Sequence, residues 1–151
     1  MGEKFYIMKS ILINFVSLVL LVSCNKIETN DTLNKSDISL IQDLNLIDEN
    51  ERIIKFYSEY RKENSGNFFT NKRVAKYWID KEDESKNVIN SAFYKDIKSI
   101  DTVYNAGLTY CPYLMISKID GTSFKISVEG DKTEVKSFFE DLLKEWDKNK
   151  R

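Results

Sequence analysis

The feature that most constrains this chain is an apolar stripe close to its C-terminus. Six large apolar side chains recur there at helical spacing: Val135, Phe138, Phe139, Leu142, Leu143 and Trp146. Asp131, with Glu134 three residues later, resembles a capping box that has Asp in place of Ser or Thr. The spacing therefore predicts one long amphipathic helix. Burying its stripe would contribute roughly 9–18 kcal/mol before entropy, so this helix must cover another part of the protein.

The residues before this helix predict antiparallel strands. Branched and aromatic residues cluster in seven segments that polar turns separate. These segments are residues 52–60, 68–70, 73–79, 88–93, 100–104, 114–119 and 122–128. In the first segment, Ile54, Phe56 and Tyr60 share a parity, and in the third Val74 and Trp78 do so. The open end of this strand set is the surface that we expect the C-terminal helix to cover.

Two further local patterns complete the predicted elements. Asp120-Gly121 between two strand-like segments predicts a two-residue hairpin turn, in which both central residues have positive φ. A short N-terminal helix is predicted where apolar residues recur on one side, with Ser36 or Asp37 as its N-cap. The apolar residues of that helix are Ile38, Leu40, Ile41, Leu44 and Ile47.

The first 24 residues predict an export signal. Lys4 and Lys9 precede an apolar run over residues 11–22. Twelve helical residues reach about 18 Å, which is short of the roughly 30 Å hydrocarbon core of a bilayer. A spanning helix is therefore disfavoured, and residues 1–23 are interpreted as a signal peptide.

The end of this segment resembles a known processing site. Leu21-Val22-Ser23-Cys24 resembles the lipobox of bacterial lipoproteins. The resemblance implies cleavage between Ser23 and Cys24, with Cys24 carrying diacylglycerol and a further acyl chain such as palmitate. Asn25, rather than Asp, follows the cysteine, which favours the outer membrane of the cell envelope where the cell has one. The alternatives are an ordinary signal peptide with a chance cysteine, or an uncleaved anchor.

The remaining chain is predicted to contain a tether and one domain. Residues 24–36 are polar, without useful periodicity, and predict a flexible tether that spans on the order of 20 Å. Residues 37–151 then form one domain. Residues 24–151 carry 23 acidic and 21 basic residues, which gives a nucleic acid no broad reason to bind.

Composition excludes several kinds of chemistry. The chain has no histidine, which excludes Ser-His-Asp triads, His-ligated metals and imidazole acid–base catalysis. With Cys24 modified, Cys111 is the one cysteine left, and its apolar surroundings predict a packed small side chain. Asp96 and Asp101 are the nearest approach to a catalytic carboxylate pair, although Asp96 is better explained as a turn former. We therefore expect no enzyme, no metal and no cofactor.

The order of elements resembles that of pleckstrin-homology (PH) domains. About six or seven antiparallel strands followed by one amphipathic helix is the layout of that family, an α+β fold in which a barrel-like sheet is capped by the helix. Three stretches resemble bacterial PH-like domains in detail: residues 51–74 with their Gly turn, residues 94–100, and residues 120–143. Phe69 and the long polar loop 80–87 depart from the pattern. The alternative is a different antiparallel sheet capped by a helix.

Several charged and aromatic clusters are candidate sites. Arg61 and Lys62 lie where many PH domains carry a basic phosphoinositide pattern, but Glu63 beside them makes a poor phosphate site. Lys72-Arg73 in a tight turn is interpreted as solvated charge. The acidic residues 80–84 lack the glycine and closing Glu of an EF-hand. The tyrosines expected to be partly exposed, as in protein-binding surfaces, are Tyr57, Tyr77, Tyr104, Tyr110 and Tyr113.

These observations favour a non-catalytic role. The first hypothesis is a lipid-anchored lipoprotein whose PH-like domain binds an envelope protein or peptide. The second is an immunity or inhibitor lipoprotein that neutralises a toxin or hydrolase acting on the envelope. A small anchored domain without catalytic residues suits either role, and the sequence does not identify the partner.

Overall fold

The fold consists of seven antiparallel strands in two sheets, with a helix near each end of the described chain. The computed structural model describes residues 27–105, 107 and 111–151. The helices are α1 (Lys35–Asp43) and α2 (Lys132–Asn149). The strands are β1 (Ile53–Tyr57), β2 (Ser65–Thr70), β3 (Arg73–Trp78), β4 (Val88–Phe93), β5 (Ile97–Val103), β6 (Tyr113–Lys118) and β7 (Ser123–Ser127). The predicted α+β class with seven strands and a C-terminal helix is confirmed.

The two sheets enclose the main core. The larger sheet has the order β1-β2-β3-β4 and the smaller one β5-β6-β7. A short 3₁₀ turn, Tyr94–Asp96, leads from β4 in one sheet to β5 in the other. The main core lies between the sheets and α2, and includes Phe69, Ile116 and Phe138. A second core lies on the other face of the larger sheet, where Ile41 of α1 packs near Phe68.

The predicted tether is wrong for residues 27–36. Residues 27–34, here called the N-terminal strap, lie along β1: Glu28 and Phe56 exchange two backbone hydrogen bonds of 2.8 Å. Leu33 is buried in the second core, and Ile27 packs against the main core. The N-cap of α1 is Asn34, not Ser36 or Asp37; Asp37 instead closes a capping box with Asn34. Two isolated apolar residues are enough to dock a polar segment when a sheet edge supplies its hydrogen bonds.

A bulge changes the parity of β1. The pairing with β2 shifts between Ile53 and Lys55, so Ile53 and Phe56 both face the second core. Ile54 packs instead against the main core, and Tyr60 lies beyond the strand with 63% of its surface exposed. The prediction that Ile54, Phe56 and Tyr60 share a face is therefore wrong, because an inserted residue breaks the two-residue period.

The hairpin between β6 and β7 is confirmed, but its turn is not the predicted one. Lys118 N–H donates to the Thr122 carbonyl and Gly121 N–H to the Lys118 carbonyl. The loop therefore has three residues, a turn followed by Gly121 at φ 86°. Asp120 has no positive φ, because only the glycine after the turn must enter the left-handed region.

The C-terminal helix follows its predicted design. Asp131 accepts hydrogen bonds from the N–H groups of Thr133 and Glu134, and Glu134 completes the capping box. Val135, Phe138, Phe139 and Leu142 are buried in the main core, and Trp146 is partly buried against it. Among the described residues, no helix combines the length and the apolar character needed to cross a membrane.

Candidate binding surface

The larger sheet has one covered edge and one uncovered edge. At the β1 edge the N-terminal strap supplies hydrogen bonds through Glu28 and Asn30. At the opposite edge β4 pairs with β3, and within the described ranges no strand lies on its other side. An uncovered strand edge presents unpaired N–H and C=O groups to any further extended chain. The outward side of β4 is called the open edge below.

The hydrogen-bonding pattern identifies which residues of β4 present these groups. Tyr94 N–H donates to the Lys72 carbonyl at 3.2 Å, one step beyond the pairing of Phe93 with Arg73. In an antiparallel ladder, hydrogen-bonded and non-hydrogen-bonded pairs alternate. Ile89, Ser91 and Phe93 therefore lie in non-hydrogen-bonded pairs with β3, and their backbone groups point outward.

Exposed apolar side chains surround the open edge. Trp78 and Val88 lie directly opposite each other across β3 and β4, and 38% and 42% of their surfaces are exposed. Ile89 and Phe93 lie on the other face of β4, with 45% and 40% exposed. Apolar side chains beside unpaired backbone groups are a surface that a second strand can cover on both faces.

The two ends of β4 carry opposite charges. The acidic loop (residues 80–86), which precedes the strand, contains four carboxylates and two lysines. Its Asp83 forms an ion pair with Lys86 at 3.2 Å, and hydrogen bonds from Ser85 and Lys86 hold the pKa of Asp83 below its ordinary value. After the strand, the exposed side chains of Lys95 and Lys98, here called the basic corner, follow Phe93.

A buried ion pair supports the far end of the open edge. The Arg73 guanidinium lies 4.3 Å from the centre of the Phe93 ring. Glu51, whose side chain is fully buried, accepts hydrogen bonds from Arg73 Nη2 at 2.7 Å and Nε at 3.0 Å. Phe93 is thus held on a side chain that is itself fixed. The Arg73–Glu51 pair therefore supports the Phe93 end of the open edge.

Comparison with known proteins supports the fold and does not give a function. No family profile and no curated protein sequence matches the chain. Among solved structures, a DUF1696-family protein with a pleckstrin-homology domain, from Shewanella loihica PV-4, is similar to it. The TM-score is 0.51 and the sequence identity 18%, over 84% of this chain and 99% of that one. The chain has a PH-like fold. The resemblance inferred from sequence is confirmed to that extent, because at this identity the likeness shows the fold alone.

The predicted lipidation site remains a prediction. Ser23 and Cys24 lie outside the described residues of the PH-like domain. Cys111 is half-buried, whereas its apolar surroundings in the sequence predicted a fully packed side chain. Burial, with Glu129 and Glu59 nearby, raises the pKa of its thiol, which disfavours the reactive thiolate.

Lys62 and Arg73, two of the basic residues considered as sites, are engaged with acids. Lys62 forms ion pairs with Asp37 at 2.8 Å and Glu28 at 2.9 Å. Burial alone would lower the pKa of Lys62, but the hydrogen bonds that Lys62 donates to these two carboxylates, together with their charges, outweigh it and raise the pKa. The interpretation of Lys72-Arg73 as solvated charge is wrong for Arg73, which is buried and paired with Glu51. The position of a residue in a turn does not predict which partner the tertiary fold places beside its side chain.

The tyrosines do not form one surface. Tyr57 and Tyr77 are buried, contrary to expectation, and the Tyr77 hydroxyl donates to the Lys62 carbonyl. Burial, followed by the charges of Asp37 and Glu63, raises the pKa of Tyr77 above its ordinary value. Tyr104 is exposed and Tyr113 half-buried, while Tyr110 lies outside the described residues.

Asp96 and Asp101 lie in different elements. Asp96 lies in the 3₁₀ turn and the exposed Asp101 lies five residues further, in β5, which is roughly 16 Å along an extended chain. No cluster of three or more potential metal ligands occurs in residues 27–105, 107 and 111–151.

Sequence reasoning missed the open edge itself. The adjacent Val88 and Ile89 were its one signal, because alternation predicts a strand and not its position in a sheet.

Proposed function

We propose that this protein is a lipid-anchored lipoprotein of the cell envelope whose PH-like domain binds an extended segment of another envelope protein. The observation that carries the proposal is the open edge. Outward backbone groups of Ile89 and Ser91 lie between exposed apolar side chains of Trp78, Val88 and Phe93. Main-chain pairing would supply affinity there, and the side chains on the two faces would supply specificity.

The N-terminal strap gives this proposal a geometry. Ile27 packs against the main core, and the three residue steps from Cys24 to Ile27 can extend at most about 11 Å. A lipid at Cys24 would therefore hold the domain close to the headgroups, on the side of the larger sheet that the strap covers. Four inter-strand steps separate the strap from β4, which is about 19 Å across the sheet. The open edge would then lie on the side of the sheet opposite the anchor.

Anchoring is tested with the two cysteines of the chain. Cys24→Ala should move the protein from the membrane fraction to the soluble fraction, or leave the precursor uncleaved. Cys111→Ala is the matched control and should leave both fractionation and mass unchanged. An unmodified mass for the native protein, or an unchanged membrane fraction for Cys24→Ala, would refute the anchor.

Partner binding is tested with two exposed isoleucines. Ile89→Lys places a charge on the open edge, and Ile119→Lys places the same charge at a hairpin loop where 68% of the residue surface is exposed. In crosslinking on native membranes, Ile89→Lys should lose at least tenfold of the captured partner and Ile119→Lys should retain it. Equal capture by both variants would show that the open edge is not the binding surface.

A further inference from the structure

We infer that the occupant of the open edge is a short extended peptide that has acidic side chains at its N-terminal end and basic side chains at its C-terminal end. The inference rests on the proposed function and names the chemistry of its partner. Three properties of β4 define this peptide: the row of outward backbone groups, the positions of the apolar side chains, and the charges at the two ends of the strand.

The outward groups set the backbone conformation of the peptide. Ile89 and Ser91 each present one N–H and one C=O, so two peptide residues opposite them can exchange four hydrogen bonds. Within the described part of the chain no group donates to or accepts from these four positions. Every strand pair of the larger sheet is antiparallel. An antiparallel peptide continues that pattern with the stronger ladder geometry.

The side chains of β4 set where the peptide is apolar. An added strand places each residue on the same face as the β4 residue opposite it. Val88 and Ile89 lie on opposite faces, so two consecutive apolar peptide residues would contact both. Asn90 and Ser91 are polar and only half-buried, so small polar residues suit the positions opposite them. Phe93 favours one more apolar residue towards the N-terminal end of the peptide.

The charges at the two ends of β4 determine which end of the peptide is acidic and which is basic. In the antiparallel orientation, the C-terminal end of the peptide lies beside the acidic loop and its N-terminal end beside the basic corner. Glu82 and Glu84 are exposed in that loop, as are Lys95 and Lys98 in the corner. Basic residues after the apolar pair, and acidic residues at the start, are therefore complementary to the two ends.

A second copy of the chain is a less suitable occupant. Pairing of two β4 strands would engage six residues of each copy. A standard interface involves roughly 20–30 residues on each side. A contact limited to one strand suits reversible capture of a peptide better than a stable dimer.

The test measures amide hydrogen exchange in the full-length protein in detergent micelles. The probe is a synthetic peptide of two Glu, one residue opposite each of the 6 residues of β4, and two Lys. The residues opposite Phe93, Ile89 and Val88 are Val, and the others are Thr. It should slow exchange at Ile89 and Ser91 at least tenfold. A peptide with the two Glu and the two Lys exchanged should protect these amides at least tenfold less. Equal protection by both peptides would overturn the inferred charge order and leave the proposed function standing.

Two proline variants control for the open edge. Ser91→Pro removes an outward N–H without removing a bond to β3, and should abolish protection at Ile89. Thr102→Pro removes an N–H that the ladder of β5 with β6 also directs outward, at the edge of the other sheet, and should leave protection unchanged. Thermal unfolding shows whether each proline variant folds. If Ser91→Pro does not fold, Ser91→N-methyl-alanine, made by semisynthesis, removes the same N–H in its place.

The remaining outcomes also decide the inference. Protection at Ile89 that grows with protein concentration and without peptide would identify a second copy as the occupant and overturn the inference. Protection by neither peptide, with loss of crosslinking in Ile89→Lys, would overturn the inferred peptide while the proposed function stands. Protection by neither peptide together with unchanged crosslinking would overturn both.

Discussion

Arg73 and Glu51 form a bidentate ion pair inside the protein. Only 6% of the Arg73 side chain and none of the Glu51 side chain is exposed. Thr70 Oγ1 donates a further hydrogen bond of 2.5 Å to Glu51 Oε1. The pair joins the segment after α1 to β3, and through the Phe93 ring it reaches β4. One buried carboxylate thereby links the N-terminal part of the domain to the candidate binding surface.

Removing that carboxylate should destabilise the protein strongly. Glu51→Ala leaves the Arg73 guanidinium buried without its main partner, and breaking a buried pair from one side costs about 3–5 kcal/mol. The free energy of unfolding, measured in urea, should fall by that amount. Asp48→Ala is the control, because Asp48 is exposed although it lies 2.9 Å from Arg73. It should cost much less than Glu51→Ala, because solvent screens an exposed ion pair. Equal losses in the two variants would contradict the importance of burial.

Much of the fold could be predicted because it depends on local periodicity. The stripe from Val135 to Trp146 defines α2 without any tertiary information, and Asp131 marks where that helix begins. The alternation of Phe124, Ile126 and Val128 likewise identifies one buried face of β7 and of the residue that follows it. In both cases a residue's neighbours in the chain decide its environment.

The candidate site could not be predicted for the opposite reason. Whether β4 lies at an edge depends on which strands pair, and Val88–Phe93 has the same alternation in the middle of a sheet as at its edge. The N-terminal strap is predicted as a tether because Ile27 and Leu33 are isolated in the sequence, whereas the core residues that bury them come from elsewhere in the chain. Contacts between residues distant in sequence determine both the edge position of β4 and the docking of the N-terminal strap.

Gly66 should be essential for the second core. A Cβ on this residue would lie 2.5 Å from Tyr77 Cε1 and 2.7 Å from Phe56 Cε2, and both rings are buried. Gly66→Ala should therefore lower the free energy of unfolding by about 1–3 kcal/mol through overpacking. In Gly130→Ala the nearest atom is the end of the flexible Glu134 side chain, at 3.0 Å, so a change below about 0.5 kcal/mol is expected. Urea unfolding of both variants tests the difference, and a tolerated Gly66→Ala would refute it.

Phe139 and Trp146 should contribute unequally although both belong to the stripe of α2. Phe139 is fully buried, with its ring 5.3 Å from that of Tyr104. Phe139→Ala should cost about 3–5 kcal/mol because it empties a core site. Trp146 is only partly buried, and its Nε1 has no hydrogen-bond partner among the described residues. Thermal unfolding should therefore show a smaller loss for Trp146→Ala; a loss as large as that of Phe139→Ala would show that the end of the helix is docked as firmly as its centre.

Asp120 should titrate at unusually low pH because of its own hairpin turn. Hydrogen bonds from the Thr122 hydroxyl at 2.6 Å and the Thr122 N–H at 2.9 Å, with Lys118 beside them, lower the pKa of Asp120 from 3.8 to about 2. Because the folded pKa lies below the unfolded one, the stabilisation from this carboxylate is complete above about pH 4 and is lost as the pH falls towards 2. Carboxyl-carbon NMR should show that Thr122→Val moves the pKa of Asp120 back towards 3.8. Ser123→Ala, one residue further along, should leave it near 2, and an ordinary pKa in the unsubstituted protein would show that the turn does not hold the carboxylate.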